Sequence, residues 1–354
     1  MKNWEENIRK VVPYVPGEQP KKQNIIKLNT NENPYPPAPG VAEAVKSVDI
    51  DRLRMYPDPL VTDLVEAIAS NYKVKNEQVF VGVGSDDVLA MIFMTFFNSK
   101  KPILFPDITY SFYDVWADML RIPYEQIPLD EDFKIYPKDY SRENGGVIFP
   151  NPNAPTGELM DLAQIEEIIQ ANPDVIVVVD EAYIDFGGVS ALPLIDKYDN
   201  VIVVQTFSKS RSMAGSRIGF AISNPTLIKY LNDVKYSFNS YTMDTITIAA
   251  GTAAMRDLAY FEMTRDKIIK TREWTKQELK RLGFVFGDSK SNFIFAMHPD
   301  VSGAALFEAL REHDIFVRHF SNPARINEYL RITIGTDEQM KTFIAFLEDY
   351  LNKN

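Results

Sequence analysis

The residue of this chain best placed for covalent chemistry is a lysine behind a buried strand. Residues 201–220 read VIVVQTFSKSRSMAGSRIGF, and the apolar run 201–204 lacks alternation, the pattern of a parallel strand covered on both faces. Such a strand delivers Ser208 and Lys209 to the loop at its carboxyl end, where open α/β sheets bind ligands. An amine held there against apolar walls loses hydration. That disfavours the ammonium form and leaves a nucleophile able to form a Schiff base with a carbonyl. Arg217 follows eight residues later, ahead of a second apolar stretch, 218–222. Alone, a lysine and an arginine in a polar loop are ordinary solvated side chains, so the weight falls on the neighbouring segments.

VIVVVDEAYIDF repeats the arrangement: five apolar residues, 175–179, end in Asp180, with Tyr183 three residues on. A carboxylate at the mouth of a buried strand is costly without a cationic partner, although an ion pair or a helix cap would also account for it. QVFVGVGSDDVLAMIF runs strand, glycine loop, helix. Gly82 and Gly84 let the backbone approach a ligand, and Ser85 and Asp86 stand at a helix N-terminus, which attracts an anion such as phosphate and also suits a plain N-cap. PDITYSFYDVWADML places Tyr110 at a helix start, where an aromatic ring can stack on a flat ligand or simply pack. In GGVIFPNPNAPTG two prolines flank Asn153 and pin its amide where a strand ends.

These elements alternate strand and helix up to about residue 245, as expected of an α/β domain. Before them lies a proline-rich extended arm with Tyr14 and the segment LNTNENPY, dense in hydrogen-bonding groups (Asn29, Asn31, Glu32), which needs another surface to lie on. Beyond residue 245 come a long helical pattern, 259–282, the strands GFVF and NFIFAM, a helix over 302–313, the strands IFVRHF and YLRITIG, and a closing helix from Asp337. The expected organisation is an arm over 1–35 packing with the small domain, a large domain over 36–245 and a small α+β domain over 246–354. Arg318 and Arg331 interrupt strand-like runs in the small domain. Aimed at an interdomain cleft they would form forks for carboxylate or phosphate, whereas on a solvent face they would be ordinary.

Composition narrows the options. Net charge −11 opposes a broad nucleic-acid or anionic-membrane surface. There is no cysteine and there are only three histidines, so thiolate chemistry is excluded and a histidine metal site is not expected. The longest apolar stretch, 88–97, is too short for a bilayer span and is expected to be a buried helix, and the start MKNWEENIRK carries no apolar signal core, which together suit a cytoplasmic enzyme.

A glycine loop for phosphate, an aspartate, a tyrosine, a clamped asparagine and a lysine at successive strand ends form one constellation. NPNAPTG, VVVDEAYIDF, TFSKSRSMAGSRIGF, VRHF and YLRITIGT together resemble, across nearly the whole chain, the fold-type I pyridoxal-phosphate aminotransferases, and within them the histidinol-phosphate branch. The resemblance implies an α/β fold with a mainly parallel central sheet in a large domain plus a smaller α+β domain. It implies pyridoxal 5'-phosphate as cofactor and no metal. Lys209 would carry the cofactor and shuttle protons; Asp180 would pair with its ring nitrogen; Asn153 and Tyr183 would bond its phenolic oxygen. Gly84, Ser85, Asp86, Ser208 and Arg217 would surround its phosphate, Tyr110 would stack on its ring, and Tyr56, from RMYPDP, would reach the phosphate of a neighbouring subunit in a homodimer. Tyr14, Asn31, Arg318 and Arg331 would line the substrate pocket. The implied reaction is transamination between histidinol phosphate and an oxo acid such as 2-oxoglutarate, in histidine biosynthesis. Alternatives on the same frame are an aromatic aminotransferase, a phosphothreonine decarboxylase, or a cofactor-binding sensor without turnover. Two departures stand out. Ala154 occupies a position where the family often has a second asparagine. The loop after Lys209 reads SRSMAGS, which is expected to bring Arg211, a further cation, close to the active site and so to bear on substrate identity.

Overall fold

A computed structural model describes residues 3–22 and 24–353. In chain order the first half contains β1 (Ile26–Lys27), α1 (Pro39–Lys46), α2 (Thr62–Tyr72), β2 (Val79–Gly82), α3 (Ser85–Phe96), β3 (Ile103–Pro106), α4 (Tyr113–Leu120), β4 (Tyr124–Ile127), β5 (Val147–Pro150), α5 (Leu162–Ala171) and β6 (Val177–Asp180). Then follow β7 (Val201–Thr206), β8 (Gly219–Ile222), α6 (Pro225–Phe238), α7 (Thr245–Arg256), α8 (Leu258–Arg281), β9 (Val285–Phe286), β10 (Phe293–Met297), α9 (Gly303–Glu312), β11 (Ile315–Phe316), β12 (Arg318–His319), β13 (Leu330–Thr333) and α10 (Asp337–Lys353).

Seven strands form the central sheet in the order β2-β8-β7-β6-β5-β3-β4. Only β8 is reversed, pairing antiparallel with β2 and β7 on its two sides; the other pairs are parallel. The inner strands bury both faces, and the period of two along a strand sorts their side chains between two cores. Val147, Phe149, Val177, Val179, Val201 and Val203 pack with α2, α5 and α7 on one side, while Ile148, Val178, Ile202 and Val204 pack with α3, α4 and α6 on the other. A sheet covered on both faces explains why these runs show no alternation of polarity.

The smaller unit is an antiparallel sheet, β12-β13-β10-β9, packed with α8, α9 and α10 around Ile268, Phe293, Leu306, Ile332 and Phe343. Its boundary differs from the expected break after residue 245. Helix α7 places Ile248, Ala250, Ala254 and Met255 in the core of the large unit, so the first unit runs on to about Asp257, whose side chain caps α8. The arm, too, does more than pack on the small unit. β1 pairs in parallel with β11 there, but Arg9 donates to the Met119 carbonyl (2.8 Å) and Tyr14 stacks on Phe112 (centroids 4.3 Å apart), both in the large unit. The segment IFVRHF, one strand in the sequence pattern, divides into β11 and β12, which pair with different partners. Among the described residues no helix is long and apolar enough to cross a membrane, and no cluster of acidic or histidine side chains could hold a metal ion.

The reversed strand β8 lies against the turn that follows β2. A Cβ added to Gly219 would fall inside van der Waals contact of the Ser85 nitrogen and the Gly84 carbonyl carbon, both backbone atoms that cannot swing away. Gly219→Ala should therefore lower stability by about 1–3 kcal/mol in urea denaturation. Gly40→Ala, in helix α1 with nothing near the added atom, should raise it by about 0.5–1 kcal/mol. Equal midpoints for the two variants would show that the glycine loop is not held by this contact.

Candidate active site

The carboxyl ends of β5, β6 and β7 and the glycine loop after β2 meet at one edge of the sheet. There they line a cavity of about 230 Å³, walled by Ser85, Asp86, Tyr110, Pro150, Asp180, Tyr183, Thr206, Ser208, Lys209 and Arg217, with Thr30 and Glu32 contributed by the arm. A second cavity of about 230 Å³ shares Thr30, Tyr110, Ala154, Tyr183 and Lys209 with it, and extends outward to Tyr14, Asn31, Arg318, Phe320 and Arg331. The two are an inner and an outer half of one interdomain cleft.

Asp180 closes the floor of the inner half and is 4% exposed. β6 and β7 run in register with Asp180 opposite Val204, which puts the carboxylate and the Lys209 loop on adjacent strand ends. The expected cationic partner is replaced by neutral donors: the Tyr113 hydroxyl donates to Oδ2 (2.8 Å) and the Ala182 N–H to Oδ1 (3.2 Å). Burial outweighs these bonds and raises the Asp180 pKa from 3.8 to about 6. Tyr113, at the start of α4, is pushed well above the ordinary phenol value by its own burial and by the carboxylate beside it. A buried carboxylate with no cation of its own is a receptor for a ligand that brings one.

Lys209 reaches into both halves. Its Nζ donates to the Thr30 carbonyl (3.3 Å) and lies 5.7 Å from the centre of the Tyr183 ring. Asn33 fixes the loop by donating to the carbonyls of Lys209 (3.0 Å) and Ser210 (3.2 Å). Ser208 is buried under the loop, and its Oγ accepts from Thr206 (3.0 Å).

At the opposite end of the inner half, Gly84 at φ +86° precedes α3 and exposes the first backbone N–H groups of that helix. A Cβ on Gly84 would come within 2.6 Å of Arg217 Nη2, so the glycine makes room for the guanidinium. Arg217 also donates to Asp86 Oδ2 (2.8 Å), and Tyr110 donates to Asp86 Oδ1 (2.6 Å). Helix N-terminus, guanidinium and the nearby Ser85 form a cradle for a phosphate-sized anion.

The outer half is cationic. β12 and β13 place Arg318 directly opposite Arg331. Arg331 Nη2 donates to the Asn29 carbonyl (3.1 Å), while its Nε is enclosed without a partner; burial draws its pKa below the ordinary guanidinium value. Its guanidinium sits 5.5 Å from the centre of Phe293 and 5.7 Å from that of Phe320. Neither arginine is ion-paired among the described residues, and no carboxylate lines this half of the cleft. Tyr14 and Asn31, both expected here, are present.

Three residues stand elsewhere than the sequence suggested. Asn153 does not face the cleft: both amide hydrogens are used, on the Ile108 carbonyl (2.9 Å) and Thr156 Oγ1 (3.0 Å), and its oxygen accepts from Thr109 (3.0 Å). Its neighbour Ala154 forms the wall instead, so the asparagine holds the loop bearing Thr109 rather than a ligand. Arg211 turns away from the site and is buried, stacked 4.2 Å from the centre of Phe261, with Nη1 donating to the Ala254 carbonyl (3.4 Å). It adds no charge to the cleft lining. Tyr56 is 81% exposed and stacks on Tyr241 (4.5 Å), away from this chain's own cavity. Conversely Thr30, Tyr113 and Phe320 line or support the site without having been singled out; only the aromatic density of TYSFYDVW gave a signal for Tyr113.

Comparison with known proteins agrees with this geometry. The family model described as aminotransferase class I and II matches residues 23–347. The chain is 51% identical over 349 residues to a histidinol-phosphate aminotransferase of Lactococcus lactis subsp. cremoris, covering 99% of this chain and 98% of that protein. It is 53% identical to one from Acinetobacter baumannii, covering 98% and 97%. Among solved structures, the histidinol-phosphate aminotransferase of Sinorhizobium meliloti in complex with pyridoxal-5'-phosphate superposes with a TM-score of 0.84 at 25% identity, covering 93% of this chain and 91% of that one.

The raised Asp180 pKa has a thermodynamic signature. Between pH 3.8 and about 6 the folded protein holds a proton on Asp180 that the unfolded chain has lost, so this contribution to stability is full at low pH and is lost as pH rises through about 6. In cofactor-free protein, Asp180→Asn should flatten the fall of Tm across that interval and leave the protein no less stable at pH 7. A wild-type Tm profile unchanged by the substitution would mean that Asp180 is not held neutral by burial.

Proposed function

This chain belongs to the class I and II aminotransferases, and we propose that it transfers the amino group of histidinol phosphate to 2-oxoglutarate, with pyridoxal 5'-phosphate as cofactor, in histidine biosynthesis. The observation that carries this reading is the division of charge in the cleft: a cation-seeking floor at Asp180 with Lys209 beside it, and an outer half with two guanidinium groups free of carboxylate partners. When bound, pyridoxal phosphate supplies an aldehyde to condense with amines and a protonated ring that accepts electron density. The residues present suit it. Gly84, Ser85 and Arg217 would hold its phosphate, with Asp86 orienting Arg217 and Tyr110, and Tyr110 would pack on its ring. Asp180 would keep the ring nitrogen protonated, and that positive charge would in turn favour the ionised carboxylate. Tyr183 would donate to the phenolic oxygen. Lys209 would hold the cofactor, and its amine is the group placed to move a proton at the substrate carbon. Arg331 and Arg318 accept the phosphate of one substrate and the distal carboxylate of the other in turn, because a guanidinium fork suits both anions.

The same reading makes the protein a cytoplasmic homodimer. Tyr56, Met55, Leu60, Phe238 and Tyr241 are exposed large apolar side chains, more than a solvated surface needs, and a second copy covering them brings Tyr56 to the partner's phosphate site. A heterodimer of Tyr56→Phe and Lys209→Ala chains then contains one site of wild-type composition, so mixing the two weak variants should restore turnover. Turnover no higher than the sum of the separate variants would remove the shared site.

Half-reaction spectra against a panel of amino acids and amino phosphates test the substrate. Histidinol phosphate and glutamate should both discharge the yellow form, and Arg331→Lys should weaken both reactions by about 1.5–3 kcal/mol in kcat/KM. Arg318→Ala should penalise the phosphorylated substrate more than glutamate. Equal losses on an unphosphorylated aromatic amino acid would point instead to an aromatic aminotransferase.

A further inference from the structure

The family resemblance implies Asn31 in the substrate pocket, and it does line the outer half of the cleft, yet both polar atoms of its side chain are taken up by other residues. It sits at φ +57° in the left-handed region, which asparagine tolerates, and is 1% exposed between the arm, the small unit and Tyr183. Four hydrogen bonds hold it. Its N–H donates to Thr333 Oγ1 (3.0 Å), its carbonyl accepts from Asn292 Nδ2 (3.0 Å), its Oδ1 accepts from Thr333 Oγ1 (3.0 Å), and its Nδ2 donates to the Tyr183 hydroxyl oxygen (2.9 Å).

The direction of this chain is fixed from one end. A hydroxyl has one proton. Thr333 Oγ1 spends a lone pair on the Asn31 N–H, so its proton goes to the Asn31 side-chain oxygen, the remaining acceptor recorded for it. The amide is thereby held with oxygen towards Thr333 and nitrogen towards Tyr183. The Tyr183 oxygen must then accept, and its own proton points away from Asn31. No other acceptor is recorded for that proton among the described residues, and Tyr183 lines the cleft together with Lys209, whose Nζ lies 5.7 Å from the centre of its ring.

We propose that Asn31 is a positioning residue that sets the proton direction of the Tyr183 hydroxyl, committing it to donate into the cofactor site. This rests on the reading of the cleft as a pyridoxal-phosphate site. A donor aimed at the phenolic oxygen stabilises its anion, so Asn31 acts on the cofactor through Tyr183 without touching it. A purely substrate-binding Asn31 would leave the substrate-free enzyme unchanged.

The experiment is a pH titration of the visible absorption of the cofactor-loaded enzyme without substrate, for wild type, Tyr183→Phe, Asn31→Asp and Asn31→Asp/Tyr183→Phe, each checked for a cooperative thermal melt. Asn31→Asp keeps the shape but offers only acceptors, so Tyr183 turns its proton to the new carboxylate. The spectral midpoint should move up, in the direction of Tyr183→Phe, by about one pH unit, a tenfold change in the equilibrium. In the double variant Asn31→Asp should add nothing beyond Tyr183→Phe. Thr333→Val, which releases the amide without adding charge, should shift the midpoint in the same direction and serves if Asn31→Asp fails to fold. A wild-type midpoint in Asn31→Asp or Thr333→Val, or an Asn31→Asp shift of full size in the Tyr183→Phe background, would overturn the proposal. Absence of any visible band in wild type would instead overturn the cofactor reading itself.

Discussion

A carboxylate held out of water at the end of a strand is the constraint on which the rest of this structure turns. Asp180 is placed there by β6, whose apolar residues fill the cores on both sides of the sheet, and the chain cannot move it without withdrawing a central strand. Two neutral donors and the more distant charge of Lys209 offset only part of the cost of desolvation, and no cation is paired with the carboxylate. On the function proposed above, a positive ring bound there would relieve this cost, and the neighbouring strand ends present the amine, the hydroxyls and the helix terminus that would hold the other parts of such a ligand. The inner half of the cleft is built outward from this one unsatisfied group.

The outer half is governed by the small unit and the arm. β13 contributes Arg331 to the cleft and Thr333 to the buried amide cluster, two residues apart and therefore on the same face of one strand. The arm lies between that strand and Tyr183, so the polar contacts of Asn31 join three segments far apart in sequence. Any rotation of the small unit that moved the arginines would also act on this cluster. On the function proposed above, substrate capture and the setting of the cofactor's surroundings would in this way be mechanically joined.

Much of this was legible in the sequence where periodicity and strand ends carry the information. Lys209, Asp180, Gly84 and Arg217 could be placed because a buried strand leaves only its carboxyl end for polar residues, and the glycines marked the backbone approach. Asn153 was misplaced because the flanking prolines reveal that a loop is stiff but not which of two adjacent side chains faces inward; a shift of one residue puts Ala154 on the wall. Arg211 was misplaced because a charge is expected to seek a polar cavity, whereas two phenylalanine rings and a carbonyl accommodate its guanidinium in the core. Helix α7 was assigned to the wrong unit because its packing partners, α1 and α2, lie some two hundred residues earlier and leave no local trace. Tyr113 as a partner for Asp180 is likewise a long-range fact, joining α4 to β6.

The cleft mouth, with Lys209, Arg318 and Arg331 and no acid, lies on a chain of net charge −11. An anion approaching from afar meets a repulsive surface that salt screens beyond a Debye length of about 8 Å at physiological ionic strength. Inside that distance low-dielectric aromatic walls concentrate the field of the guanidinium groups. At the rim itself a small anion therefore meets guanidinium groups without a competing carboxylate, an attraction that is short-ranged and less sensitive to salt than that of a fully exposed charge.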